Sequence, residues 1–305
     1  LAKYLTKKVF ISILTLWIVA TATFFLMFMV PGGPFLAEKA PSEATIAALN
    51  QKYGLDQPKI VQYKNYFTNF LSGDLGPSMK QRGREVNQII STGFKVSATV
   101  GGMAILVAVM VGIPFGSVAA LKRGKWQDNI ILLISTTGIA VPSFVVATVL
   151  MMIFSVKLNL LPTYGLTSWK HYIMPVMSLS FYPTAYISRL MRSSMLEVLG
   201  QDYIRTAKAK GLPMFRVLFK HALRNAVLPV VTYLGPLLAY TLTGSFIVER
   251  IFTVPGLGNS FISSILNRDY TMIMGTTIFL AALIIVMNLI VDIVYKLVDP
   301  RITYK

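Results

Sequence analysis

Long apolar runs, more than any alternation of polar and apolar positions, set the pattern of this chain. Residues 9–30, 96–121 and 129–156 contain no charged side chain, and residues 226–248 none either, despite Pro229 and Pro236. A run over 272–297 is uncharged until Asp292. A bilayer core takes about 20 helical residues, so each of these predicts a membrane-spanning helix. Prolines are tolerated in such helices where neighbours satisfy the freed carbonyls. Residues 172–191 form the weakest candidate, with Pro175, Pro183, several hydroxyls and Arg189 near the end.

The flanking charges decide that weak case. Lys3, Lys7 and Lys8 precede the first run, and Lys296, Arg301 and Lys305 lie at the other end. Positive flanks favour the cytoplasm. Both ends inside requires an even number of spans, so 172–191 completes six. The first run exceeds the apolar core of a signal peptide and is expected to be a retained anchor. The stretches Lys122-Arg123-Gly124-Lys125 and 192–225 are then cytoplasmic, and 31–95, 157–171 and 249–271 lie outside.

Composition agrees. Of 305 residues 54% are hydrophobic and 13% charged, where a soluble domain carries about a quarter charged. The net charge is +17. It reads as topology with attraction to anionic lipid and needs no nucleic acid. Cysteine is absent, which excludes a disulfide framework, a thiolate metal site and a Cys nucleophile. No Gly-x-x-x-x-Gly-Lys-[Ser/Thr] phosphate loop occurs. His171 and His221 fall on opposite sides of the membrane and cannot share a metal.

Residues 31–95 predict a small helical extracytoplasmic insertion. Pro31-Gly32-Gly33-Pro34 breaks the first helix, Ser42 caps a short helix that Gly54 ends, and Pro58 opens another that Gly73 stops. Val61, Tyr66, Phe67, Phe70 and Leu71 lie near one face of the second. So small a segment buries little on its own and is expected to rest on the membrane part as a helical cap.

The inner stretch 192–225 carries the most information. Leu196, Leu199, Tyr203 and Ala207 recur at spacings of three and four, one helical face. Gly211 interrupts, Pro213 suits the first turn of a second helix, and Met214, Val217, Leu218 and Ala222 give that helix an apolar side. This basic helix–turn–helix has two open readings: an amphipathic loop lying on lipid, or a lever that docks a cytosolic partner.

Elsewhere several residues invite function beside a structural alternative. Ser180, Thr184 and Ser188 recur every four residues and either line an aqueous path or let helices pack closely. Gly112-x-x-x-Gly116 reads first as close packing. Asp292 reads as a structural partner of Asn288 or an interfacial acid, with a gate contact as the lesser alternative. In 249–271 a short helix is expected over 259–266. Glu249, Arg250, Arg268 and Asp269 are expected to pair among themselves.

The run Asp202-Tyr203-Ile204-Arg205-Thr206-Ala207-Lys208-Ala209-Lys210-Gly211 resembles the coupling region, or EAA loop, of bacterial ABC importer permeases, and more narrowly that of the oligopeptide/dipeptide permease subfamily. Counted back from Gly211, the general Glu-Ala-Ala becomes Arg205-Thr206-Ala207, and the Leu-Pro that closes the general loop arrives late, as Leu228-Pro229. Val30-Pro31-Gly32, Gly73-Asp74-Leu75-Gly76 with Ser78, Leu161-Pro162-Thr163, Met174-Pro175, Pro255-Gly256-Leu257-Gly258, Asn267-Arg268-Asp269-Tyr270 and Asp299-Pro300-Arg301 are similar to subfamily motifs in the same order.

The resemblance covers nearly the whole chain. It implies an all-α polytopic type I ABC importer permease of six transmembrane helices, in a bacterial or archaeal cell membrane, with both termini cytoplasmic. Its function would be peptide import, as a subunit that forms half of the translocation pathway. Tyr203, Arg205, Thr206, Ala207, Lys208, Ala209, Lys210 and Gly211 would couple to an ATPase. Pro255, Gly256, Leu257, Gly258, Arg268 and Asp269 would lie near the docking surface of a solute-binding protein, or else form an interfacial cap. Implied partners are a second homologous permease subunit, two cytosolic ATPase subunits holding ATP and Mg, an extracytoplasmic solute-binding protein and membrane lipid. This chain itself would hold no cofactor and catalyse no reaction. The alternative is a stand-alone secondary transporter or channel, against which stands the lack of charge at mid-membrane.

Overall fold

The computed structural model describes residues 2–29, 32–35, 42–242 and 244–298. Val30, Pro31, Glu38, Arg301, Lys305 and the Asp299-Pro300-Arg301 motif lie outside these. Among the described residues there is no β-strand, only an isolated bridge between Pro77 and Glu85. The helices in order are α1 (Ala2–Met29), α2 (Glu43–Lys52), α3 (Lys59–Leu71), α4 (Val86–Leu121), α5 (Trp126–Ala140), α6 (Ser143–Leu150), which runs on as a π-helical turn Met151–Lys157, and α7 (Lys170–Leu199). Then come α8 (Asp202–Ala209), α9 (Met214–Arg216) followed by a π-helical Val217–Ala222, α10 (Leu223–Ala226), α11 (Leu228–Leu242), α12 (Phe246–Ile251), α13 (Leu257–Asn267) and α14 (Tyr270–Val298).

Among the described residues four stretches are long and apolar enough to cross a membrane: Thr6–Met29, Val86–Leu121, Leu228–Ile251 and Tyr270–Ile293. A fifth is added if α5 and Ser143–Lys157 count as one span, although they meet at 105°. The sequence predicted one uninterrupted helix over 129–156. The break sits at Val141-Pro142. Proline disfavours the helical region for the residue before it, and Val141 is extended (φ −87°, ψ 122°). α7 has the length to span, at 30 residues, but is more polar than the others. α4 begins at Val86, so residues 86–95 belong to a 36-residue helix, not to the soluble segment.

α7 is the central helix, lying along α4 and touching α5, α6 and α11. The Gly112 and Gly116 pair sits in the α4–α7 contact, where a β-carbon on Gly112 would meet Ile187 and the carbonyl of Thr184 at 2.8–3.0 Å. Small residues let membrane helices approach this closely. α1 packs on α14, and there Asp292 pairs with Lys8, not with Asn288. The two charges offset each other near the ends of their helices.

The segment after α1 packs onto α1 and α14 through Phe24, Phe35, Met79, Tyr270 and Met274, joined by Tyr53, Tyr63 and Phe67. Tyr63 stacks edge-on to Phe24 at 5.4 Å, and its hydroxyl lies 2.8 Å from that of Thr21. Ser42 caps α2 by accepting from the Thr45 N–H, and Gly54 and Gly73 take positive φ at the two helix ends. On α3, Val61 and Leu71 are exposed, so Tyr63 takes the inward place that spacing gave to them.

Candidate functional site

The elbow after α7 is built from local signals. Gly200 and Gln201 end α7 and restart the chain as α8, whose first turn carries Asp202. α8 closes through paired bonds: the Gly211 N–H donates to the Lys208 carbonyl at 2.9 Å, and the Leu212 N–H to the Ala207 carbonyl at 3.3 Å. This is the Schellman arrangement, which needs a left-handed residue at its turn, and Gly211 has φ +73°. Pro213 then opens α9.

α8 buries Ile204 and Ala207 against Val217 and Ala222. Tyr203 is exposed, contrary to the predicted stripe, because the break at Gly200 resets the helical phase. Its hydroxyl accepts a hydrogen bond from Asn225 Nδ2 at 2.9 Å. Arg205, Thr206, Lys208, Ala209, Lys210 and Gly211 are all exposed. Met214, expected to be inward, is also exposed. Beside it Phe215 and Phe219 are 71% and 58% exposed, with ring centroids 4.4 Å apart. The elbow therefore presents an exposed aromatic pair on a segment that also carries the exposed Arg205, Lys208, Arg216 and Lys220. The π-helical turn under it is a form that recurs at functional positions.

Above the elbow, a bend, two prolines within helices and a left-handed glycine meet around a cavity of about 670 Å³: the Val141-Pro142 bend, Pro183 in α7, Pro236 in α11 and Gly244 (φ +89°) after α11. Tyr182, Tyr233 and Tyr240 line it, and Tyr240 is 82% exposed. Tyr186 stands 4.3 Å from Tyr233 and 6.2 Å from Tyr182, ring to ring. An aromatic wall with hydroxyl tips offers a solute both apolar surface and hydrogen bonding. The predicted path residues are elsewhere. Ser180 is buried and donates to the Met177 carbonyl, Ser188 is buried against Gly116, and the Thr184 backbone faces Gly112. Thr184 and Ser188 thus sit at the α4–α7 contact.

The loop expected near a docking surface turns inward. Leu257 is buried, and Gly244, Gly256 and Gly258 crowd the carboxylate of buried Glu249. That carboxylate accepts from Ser97 Oγ at 2.7 Å and the Asn259 N–H at 3.1 Å, while Ser97 Oγ accepts from the Leu257 N–H at 2.9 Å. The glycines are there because a side chain would displace the acid. Pro255 alone of this motif is exposed. Asp269 is buried too. It accepts from Ser78 Oγ, the Met79 N–H at 3.1 Å and the Met272 N–H at 3.3 Å, so it caps α14 and holds the insertion. Arg268, half-buried at the left-handed end of α13, lies against Gly32. The expected mutual pairing of these charges gives way to neutral partners: Arg250 donates to Asn259 Oδ1 and Ser263 Oγ, each at 3.3 Å. α13 spans Leu257–Asn267, wider than the predicted 259–266.

Sequence reasoning missed the tyrosines, although Tyr182 and Tyr186 share a face at i, i+4. It also missed Asp128, an acid at the start of a span otherwise flanked by basic residues, which pairs with Arg192.

Residues 112–304 match the model of the binding-protein-dependent transport system inner membrane component, and residues 1–110 that of the N-terminal part of the same kind of membrane component. The chain is 45% identical over 302 residues to the dipeptide transport system permease protein DppB of Bacillus subtilis, covering 99% of this chain and 98% of the relative. It is 43% identical over 304 residues to the oligopeptide transport system permease protein OppB of Haemophilus influenzae, and 39% identical over 304 residues to the glutathione transport system permease protein GsiC of Salmonella choleraesuis, covering 99% of each chain in both cases.

Proposed function

The chain belongs to the family of binding-protein-dependent transport system inner membrane components, and from that premise we propose that it is the membrane permease subunit of an ATP-driven di- or oligopeptide importer. It is a multi-pass membrane protein. In this reading α1, α4, the bent α5–α6 pair, α7, α11 and α14 make six crossings, with both termini in the cytoplasm. A second homologous permease supplies the other half of the pathway, and two cytosolic ATPase subunits supply ATP and Mg chemistry. An extracytoplasmic solute-binding protein delivers the peptide.

The observation that carries the reading is the exposed elbow between α7 and α11. Its coupling residues Tyr203 to Gly211 are followed by the Phe215–Phe219 pair, a stiff turn with an apolar tip in a basic setting. ATP binding favours the closed ATPase pair, and the elbow moves with it. A ligand shifts such an equilibrium only through its differential affinity for the two states. α7 connects the elbow to Tyr182, so the displacement reaches the tyrosine-lined cavity, the half-pathway in this chain.

The test is reconstitution in vesicles with the co-encoded partners. ATP-dependent accumulation of a labelled di- or oligopeptide, abolished when the ATPases are omitted, is the expected result. Uptake by the chain alone overturns the reading and leaves a stand-alone carrier or channel.

A further inference from the structure

Asp128 and Arg192 stand outside both the elbow and the cavity, yet join the elements that lead from one to the other. Asp128 lies in the first turn of α5 and Arg192 in the last third of α7. Arg192 Nε donates to Oδ1 at 2.6 Å and its terminal nitrogen to Oδ2 at 2.8 Å. The Gly124 N–H donates to Oδ2 at 2.9 Å. The acid side chain is 2% exposed and the guanidinium side chain 19%. This is a two-pronged, desolvated pair that also closes the turn between α4 and α5. Removing one partner would strand the other charge.

The positions of the helix ends give the pair its meaning. α5 runs from Asp128 to the bend at Val141-Pro142, and α7 runs back from Arg192 to Tyr182; both far ends line the cavity. At about 1.5 Å per residue these arms are roughly 15–20 Å long. Near the cavity the two helices are in close contact, a β-carbon on Gly138 falling 2.6 Å from that of Ala185. The seam is thus pinned at both ends, and α7 passes beyond the inner pin to Leu199, directly before α8.

We propose that the Asp128–Arg192 pair is a positioning clamp that makes α5 and α7 move as one plate, so that displacement of the elbow opens and closes the cavity. The inference rests on the importer reading above. Both residues act through the helices they join and touch no peptide.

The experiment uses the reconstituted complex with its ATPases and binding protein, and compares wild type with Asp128→Asn, Arg192→Lys and the exchange Asp128→Arg with Arg192→Asp. Lysine keeps the charge but not the fork, so it serves as the conservative probe. The readout is labelled peptide imported per ATP hydrolysed, beside co-purification of the ATPases and thermal unfolding. Asp128→Asn and Arg192→Lys are expected to lower peptide per ATP by about tenfold, the scale on which coupling positions act, in complexes that still assemble. The exchange is expected to recover part of the loss. Wild-type stoichiometry in either single variant overturns the clamp. Parallel loss of assembly, unfolding temperature and hydrolysis, without recovery in the exchange, assigns the pair to folding alone and also overturns it. A wild-type complex that imports no peptide with ATP counts against the importer reading instead.

Discussion

A β-carbon built on Gly112 of α4 would stand 2.8 Å from Cγ2 of Ile187 on α7, and the rigid backbone of Thr184 blocks retreat at 3.0 Å. The central pair of helices therefore tolerates nothing larger than hydrogen at this point. Gly112→Ala is expected to destabilise by about 1–3 kcal/mol, the usual cost of overpacking. Gly102, on the same helix with nothing within 4 Å, is the control: Gly102→Ala should leave the unfolding temperature unchanged or raise it. Thermal unfolding of the two purified variants in detergent checks the contrast.

The elbow makes a different prediction, because its glycine is open to solvent and matters through the backbone. At φ +73° no β-carbon clash threatens Gly211. An L-residue there still carries left-handed strain of about 1–2 kcal/mol, so Gly211→Ala should be mildly destabilising. Gly211→Pro cannot adopt the angle and loses the N–H bonded to Lys208. Ala207→Glu forces a carboxylate into the apolar cluster that holds Ile204 and Val217. Both are expected to reach the membrane and still permit ATP hydrolysis by the partner subunits while peptide uptake is lost. Normal uptake in a well-expressed Ala207→Glu variant would argue against the lever.

These two cases also mark what could be read from the residues alone. Apolar runs, the Ser42 cap and the Gly211 turn are local properties, and the fold displays them where the pattern puts them. Phase is less local. Counting through Gly200 places Tyr203 on the face of Leu196 and Leu199, but the chain restarts at Gln201, and Ile204 takes the inward position. The uninterrupted span over 129–156 failed at a single Val141-Pro142 step, since hydropathy is blind to direction. Pairings such as Asp128 with Arg192, 64 residues apart, have no periodic signature. The Pro255–Gly258 motif was legible as a motif, yet its glycines make room for Glu249, a relation that only three-dimensional packing reveals.

Asp269 yields a prediction at the insertion. Its carboxylate gathers Ser78, Met79 and Met272, and each hydrogen bond to a charged acceptor contributes about 1.5–3 kcal/mol. Asp269→Ala should detach residues 78–80 from the start of α14 without unfolding the membrane helices. Faster amide exchange at Met79 and Lys80, and earlier proteolytic cutting within the insertion, are the expected signs. Asp269→Asn keeps an acceptor and should fall between.

The cavity predicts a size effect. Tyr240 lines the cavity proposed as this chain's half of the pathway, so Tyr240→Trp is expected to narrow it, whereas Tyr240→Ala widens it and removes aromatic surface. Uptake of longer peptides should fall more than that of dipeptides in the tryptophan variant, and the order should reverse in the alanine variant. Parallel transport measurements with a graded peptide series in the assembled importer decide this. An equal effect on all lengths would remove Tyr240 from the path.

The bond between Ser78 and Asp269 joins points 191 residues apart. A ribosome feeding this chain into the bilayer delivers Ser78 long before its acceptor exists. The insertion around Ser78 must wait for this bond until Asp269, directly before α14, has been made. Latching of the insertion is therefore a late event in synthesis, and a nascent chain stalled before Asp269 leaves Ser78 and Met79 without their acceptor.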